Sequence, residues 1–295
     1  MRAVGLIAAI FGAALLATAV PAEAQQQPQR DPFNGQFGAW EIAPQPREAA
    51  RLAKLMGDAL TGLQPQRPGV QDVYLLTVSF WGDPVFEREA VQAEEILRPH
   101  LGAEGRSIIL SAGGQGQRNY PAASPDNFAA ALGQVGATMD PNEDLFVLFF
   151  TTHGQPDGVA AIREHNRMFA GLRPAHLSLM LSQANIQNRV VIISACFSGA
   201  FIGPLMSDGT IIMTAAAPDR SSFGCQPQNN WTFFGDAYFN RSVRENGDMI
   251  GSFDRAKQLI AQWEREQNLS PPSNPQISIG QRAATMLRRA ERDAH

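Results

Sequence analysis

Cysteine is scarce in this chain of 295 residues, which has two, Cys196 and Cys225. That number excludes a disulfide-dense scaffold, and a chain this long buries enough core not to depend on a single bridge. No His-x3-His, Cys-x2-Cys or carboxylate cluster has the spacing of a metal site, so neither a metal nor another cofactor is called for. Charge of one sign is also lacking. The formal net charge is −4, and the basic residues form no stripe interleaved with aromatics, which speaks against nucleic acid as a partner. There is no internal repeat. What remains is an ordinary globular composition, with 44% hydrophobic and 18% charged residues.

The N-terminus differs from the rest. Arg2 precedes an apolar run from Ala3 to Val20, and Ala22-Glu23-Ala24 supplies a small-x-small cleavage pattern. Residues 1–24 therefore read as a secretory signal peptide, which predicts a secreted or periplasmic protein. No cysteine lies near the cleavage point to carry a lipid, so no stable membrane insertion is expected after cleavage. Residues 25–46 are rich in Gln, Pro and Gly without periodicity and read as a flexible arm. Residues 47–295 read as one domain with a helical extension at its C-terminal end.

Along that domain, apolar spacing predicts a helix from Arg47 to Leu63, stopped by Pro65 and Pro68. A strand at Val73–Phe80 leads through Trp81-Gly82-Asp83-Pro84 into a helix over Phe86–Leu97, with Glu87, Arg88, Glu89, Glu94 and Glu95 on its wetter faces. A short strand at Ser107–Leu110 precedes a Gly- and Gln-rich loop. Ser124-Pro125 is a good helix start, a capping Ser followed by Pro in the first turn. Further strands are expected near Leu145, Val190 and Thr210, with helices over Pro174–Gln183, Phe233–Arg244 and Phe253–Gln267. A Pro-rich connector at Ser270–Pro275 leads to a last helix from about Gly280. Strands alternating with helices in this order predict an α/β three-layer sandwich with a mostly parallel sheet.

Two of the strands end on chemistry. DLFVLFFTTHG (144–154) delivers His153 and Gly154, and RVVIISACFSG (189–199) delivers Cys196 between Ala195 and Ser198-Gly199. Continuous apolar runs suit strands buried on both faces, and in open α/β sheets reactive groups gather beyond the carboxyl ends of such strands. A His and a Cys displayed there can meet as base and nucleophile. His100, His165, His176 and His295 sit in contexts that suggest structural or solvated roles. Cys225 reads more readily as a free thiol than as a partner for Cys196, because a bridge would consume the nucleophile.

The pair THG and SACFSG at the ends of buried strands resembles the caspase–hemoglobinase superfamily of cysteine peptidases, and within it the legumain-like family C13, bacterial members included. A third region, TIIMTAAAPDRSSFGC (210–225) followed by Phe234-Gly235-Asp236, is similar to the family's strand, Ser-Ser loop and Gly-Asp helix start. The resemblance spans roughly Val73 to Arg244. It implies a caspase-like fold, a protein or peptide substrate, Cys196 as nucleophile and His153 as general acid/base. It also implies an oxyanion hole from the backbone N–H groups of Gly154 and Cys196, and a substrate pocket from Ser221, Ser222 and Asp236. Cys196 is expected just ahead of a helix start, and Asp236 is also placed to act as a simple helix cap. Two departures bear on specificity. Phe197 follows the nucleophile where legumains carry Glu, and WGDPVFEREA (81–90) has no clear counterpart of the legumain Arg-His pair, Arg88 being its nearest basic residue. The implied activity is an exported cysteine endopeptidase, cleaving after Asn if Asp236 accepts from the amide. The alternatives are a transpeptidase like the glycosylphosphatidylinositol transamidase subunit, or a binding module that kept the fold.

Overall fold

The computed structural model describes residues 45–114, 118–164 and 168–294. The expected signal peptide, nearly all of the arm, His165 and His295 lie outside the described residues.

Val, Ile, Leu and Phe dominate the runs that the sequence marks as strands, and these side chains pack well on a pleated surface covered on both sides. The runs form β1 (Val73–Ser79), β2 (Ser107–Ser111), β3 (Leu145–Thr151), β6 (Arg189–Ser194) and β7 (Thr210–Thr214), all paired in parallel. The six-stranded sheet is ordered β2-β1-β3-β6-β7-β8, and its last strand, β8 (Gln276–Ile279), runs antiparallel to β7. The connector predicted at Ser270–Pro275 thus leads into an edge strand before the last helix. Its QISI sequence is short and only half buried, as an edge strand usually is, and it carries little periodic signal.

Alternate residues of each strand face opposite layers. Tyr74, Leu76, Val78, Phe146, Leu148 and Phe150 join one core layer with Phe128, Leu132, Leu177 and Leu181 from α3 (Pro125–Thr138) and α4 (Pro174–Gln183). Met56 of α1 (Pro46–Thr61) belongs to the same layer. Leu75, Val147 and Phe149 join the other layer with α2 (Pro84–His100), α5 (Met249–Glu266) and α6 (Gln281–Asp293). The result is the three-layer sandwich expected from the alternation. α6 is not an appendage, because Ala283, Ala284, Leu287 and Ala290 are buried in that second layer.

The helix expected over Phe233–Arg244 takes another form. A short α turn at Phe233–Gly235 widens into a π-helix over Asp236–Val243, with Ser242 Oγ donating to Ala237 O at 2.7 Å. The wider turn lets Ala237, Tyr238 and Phe239 all bury their side chains against the core. Thr232, not Asp236, is the N-cap, its Oγ1 accepting from Gly235 N at 3.1 Å. A hairpin absent from the sequence reading, β4 (Ala160–Glu164) with β5 (Met168–Leu172), follows the His153 strand end.

Candidate active site

β3 and β6 are neighbours in parallel register, with Thr151 opposite Ser194, and Thr152 N donates to Ser194 O at 3.1 Å just past the strand ends. His153 and Cys196 each lie two residues beyond that pair, on strands whose spacing is about 4.8 Å. Their main chains touch at Gly154. A Cβ there would fall 1.8 Å from Cys196 O, so only a residue without one allows the approach. Gly154 also pairs with Ala160, flanked by hydrogen bonds from Ala161 N to His153 O (2.8 Å) and Gln155 N to Val159 O (2.9 Å). In an antiparallel ladder that arrangement turns the N–H of Gly154 away from the pairing strand.

Cys196 is displayed on a tight strand-to-helix turn. Phe197 adopts a left-handed conformation (φ 57°, ψ 14°), which costs a side-chain-bearing residue about 1 kcal/mol. Hydrogen bonds hold it there. Phe197 N donates to Arg220 O at 2.7 Å, and Gly199 N donates to Ala216 O at 2.9 Å. Short helical turns follow at Ser198–Phe201 and Ile202–Leu205. The half-buried sulfur accepts from Ser222 N at 3.3 Å and lies 3.7 Å from Ser222 Oγ. Cys196 and Cys225 are both free thiols. Burial pushes the Cys225 thiol up, and the neighbouring Cys196, Asp83 and Glu89 add to the shift.

The imidazole of His153 stands edge-on between two aromatic rings, with centroids 4.9 Å from Trp81 and 5.0 Å from Phe86. Its Nε2 lies 3.7 Å from Asp83 Oδ2. Asp83 holds the N-cap position of α2 but makes no side-chain capping bond, and its carboxylate faces the histidine instead. Burial lowers the His153 pKa, and Asp83 opposes the shift. The ring is therefore predominantly neutral at pH 7, the form that can accept a proton.

Beneath the strand ends lies Glu89, fully buried. Its carboxylate accepts from Thr232 Oγ1 at 2.6 Å, from Ser194 Oγ at 3.4 Å, and from Thr151 Oγ1. Burial raises its pKa to about 7 against the opposing pull of those hydroxyls. The sequence places Glu89 on a wet face of α2, and the structure buries it instead. The residue sits on the same face as Phe86, Ala90 and Ala93, and the hydroxyls make its burial tolerable. Glu94 is likewise buried, bonded by Arg98 Nε at 3.0 Å and by Ser107 Oγ.

Ser222 is beside the sulfur, and Ser221 is exposed on the same loop. Asp236 is held elsewhere. Its carboxylate accepts from Asn240 Nδ2 at 2.7 Å and Arg241 Nε at 2.9 Å, and it lines a cleft of about 580 Å³ with Trp231, Phe233 and Trp263. Neither Cys196 nor His153 lines that cleft. Arg88 donates to Asn229 O at 3.1 Å and to Pro227 O, so it props the 227–229 loop. His176 is exposed, and His100 is buried with Nε2 3.6 Å from Glu291. Among the described residues no cluster could hold a metal ion, and no helix is long and apolar enough to cross a membrane. Asp83, Trp81 and Glu89 were not picked out from sequence. The available signals were an Asp-Pro pair opening a helix and a Glu at the apolar spacing of that helix.

Against known proteins, no curated sequence matches the chain. Among solved structures, caspase-1 from Spodoptera frugiperda superposes with a TM-score of 0.49 at 12% identity, covering 74% of this chain and 94% of that one. The sequence model of the peptidase C13 family matches residues 114–281, a stretch that holds His153, Cys196 and Ser222; it begins later than the expected Val73 and reaches beyond the expected Arg244. The chain belongs to the peptidase C13 family, and its function is of the cysteine-peptidase type.

Proposed function

We propose that the protein is an exported cysteine endopeptidase in which Cys196 attacks the peptide carbonyl and His153 moves the protons. The observation that carries this reading is the shared register of the two strand ends, closed by the contact of Gly154 with Cys196. Cys196 loses its proton to the neutral His153, and the sulfur bonds to the carbonyl carbon. The oxygen, now negative, takes hydrogen bonds from the N–H groups of Gly154 and Cys196. The C–N bond then breaks as His153 protonates the leaving amine, which leaves a thioester. Water, deprotonated by His153, attacks that thioester, and the C–S bond breaks to release the acid and the sulfur. Specificity before the cleaved bond falls to the surroundings of Ser222, since Asp236 is committed to Arg241 and Asn240.

The test is turnover of a fluorogenic peptide, measured beside thermal melting. Cys196→Ala and His153→Ala should each abolish turnover with the fold intact, and the double variant should be little worse than either, because groups acting as one unit are not additive. Turnover surviving in either single variant sinks the assignment. Export rests on residues 1–24, and N-terminal sequencing of protein recovered outside the cytoplasm should begin at Gln25; an intact Met1 there rejects cleavage.

A further inference from the structure

From the catalytic imidazole a ladder of side chains runs out to the β4–β5 hairpin. Trp81 stands edge-on to the His153 ring at 4.9 Å. The Arg163 guanidinium lies 5.2 Å over Trp81 and, on its way to the hairpin's second strand, 5.0 Å from the centre of Phe169. The backbone fixes the ladder to the sheet, with Arg163 N donating to Phe80 O at 2.7 Å and Trp81 bridged to Arg163. Its outer rung is unusual. Phe169 is 58% exposed, and no other Phe, Tyr or Trp among the described residues is exposed. An apolar ring kept in water yet fixed by a stacked cation is ordered before anything binds to it, which removes part of the usual cost of binding.

The chemistry says which part of a substrate meets this ladder. His153 must protonate the amine that leaves, so the segment following the cleaved bond departs past the histidine; of the two rings that flank it, Phe86 is buried in the core, which leaves the Trp81 side, where the ladder begins. An extended peptide advances about 3.3 Å per residue, which brings Phe169 within reach of roughly the second to fourth residue after the bond. We infer that Trp81, Arg163 and Phe169 bind the peptide segment on the C-terminal side of the cleaved bond and select a bulky aromatic side chain there; the inference rests on the peptidase reading above.

Two kinds of substrate separate the two readings. A peptidyl aminocoumarin carries only the leaving coumarin amine after the bond and nothing at the second to fourth positions, whereas internally quenched peptides can carry Phe or Ala at each of those positions. Wild-type protein should cleave both kinds and prefer Phe over Ala at one of those positions by roughly three- to tenfold in kcat/KM, the range of one aromatic contact. Phe169→Ala should erase that preference by bringing the Phe peptide down to the rate of the Ala peptide, with the melting temperature unchanged. Phe169→Tyr should retain the preference. Cleavage of the coumarin substrate with equal rates on Phe and Ala peptides overturns the inference alone. A preference that persists in Phe169→Ala overturns it as well. No cleavage of any substrate by wild-type protein overturns the peptidase reading and this inference with it.

Discussion

Asp83 stands where α2 would take its cap, and it leaves that role to face His153 at 3.7 Å. A helix start loses on the order of 1 kcal/mol when its cap bond is absent, which is a reason to look for what the carboxylate gains elsewhere. Its gain is electrostatic, since Asp83 raises the affinity of His153 for protons while burial lowers it. Asp83→Asn removes the raising influence, so the His153 pKa should fall further below its usual value. In the proposed mechanism the neutral ring takes the thiol proton, so the acid limb of kcat/KM against pH should move to lower pH in the variant. A limb that stays in place or moves up would show that Asp83 does not act on His153. The position of Cys196 and His153 at neighbouring strand ends was legible in the sequence, because each sits at the end of an uninterrupted apolar run. Asp83 was not, since its partner lies seventy residues on in the chain, and nothing local marks a cap that turns away.

At the scale of elements, Glu89 ties α2 to the ends of β3 and β6 and to the cap of the turn at Phe233, through Thr151, Ser194 and Thr232. Gly235 is required for this closeness, because a Cβ there would lie 1.9 Å from Glu89 Oε1. The raised pKa fixes the sign of the pH effect. A carboxyl that titrates near 4.5 when unfolded and at about 7 when folded contributes its full stability below the unfolded value. That contribution is lost as pH rises toward 7, by roughly 3 kcal/mol over the interval. Glu89→Gln cannot titrate. Its melting temperature should fall less than that of the wild type between pH 5 and pH 8, and parallel curves would refute the linkage. Most elements were legible, among them β1, β3, β6 and α4, because their periodicity is local and strong. The hairpin of β4 and β5, the π-helix and β8 were not. Each depends on distant partners: β4 on the backbone of His153 and Phe80, the π turn on aromatic packing, and β8 on β7.

At the scale of the whole molecule, the second core layer is completed by the elements that come last among those described. β8 covers the open edge of β7 through pairs such as Ile211 with Ile279 and Met213 with Ile277. α6 buries Ala283, Ala284 and Leu287 against the layer that holds Val190, Ile211 and Phe239. A chain ending at Pro275 should therefore expose both an unpaired edge and an apolar face. It should bind a hydrophobic dye and lose its near-ultraviolet circular dichroism while keeping much of its far-ultraviolet signal. A cooperative melt within a few degrees of the full chain would show that these residues are dispensable. The order of synthesis gives this dependence a further meaning. His153 and Cys196 leave the ribosome long before residues 276–293, yet the sheet that fixes their register lacks one edge and part of one face until those residues arrive. A nascent chain would thus hold His153 and Cys196 without a settled frame between them, and that frame would be set only once β8 and α6 have folded onto the sheet.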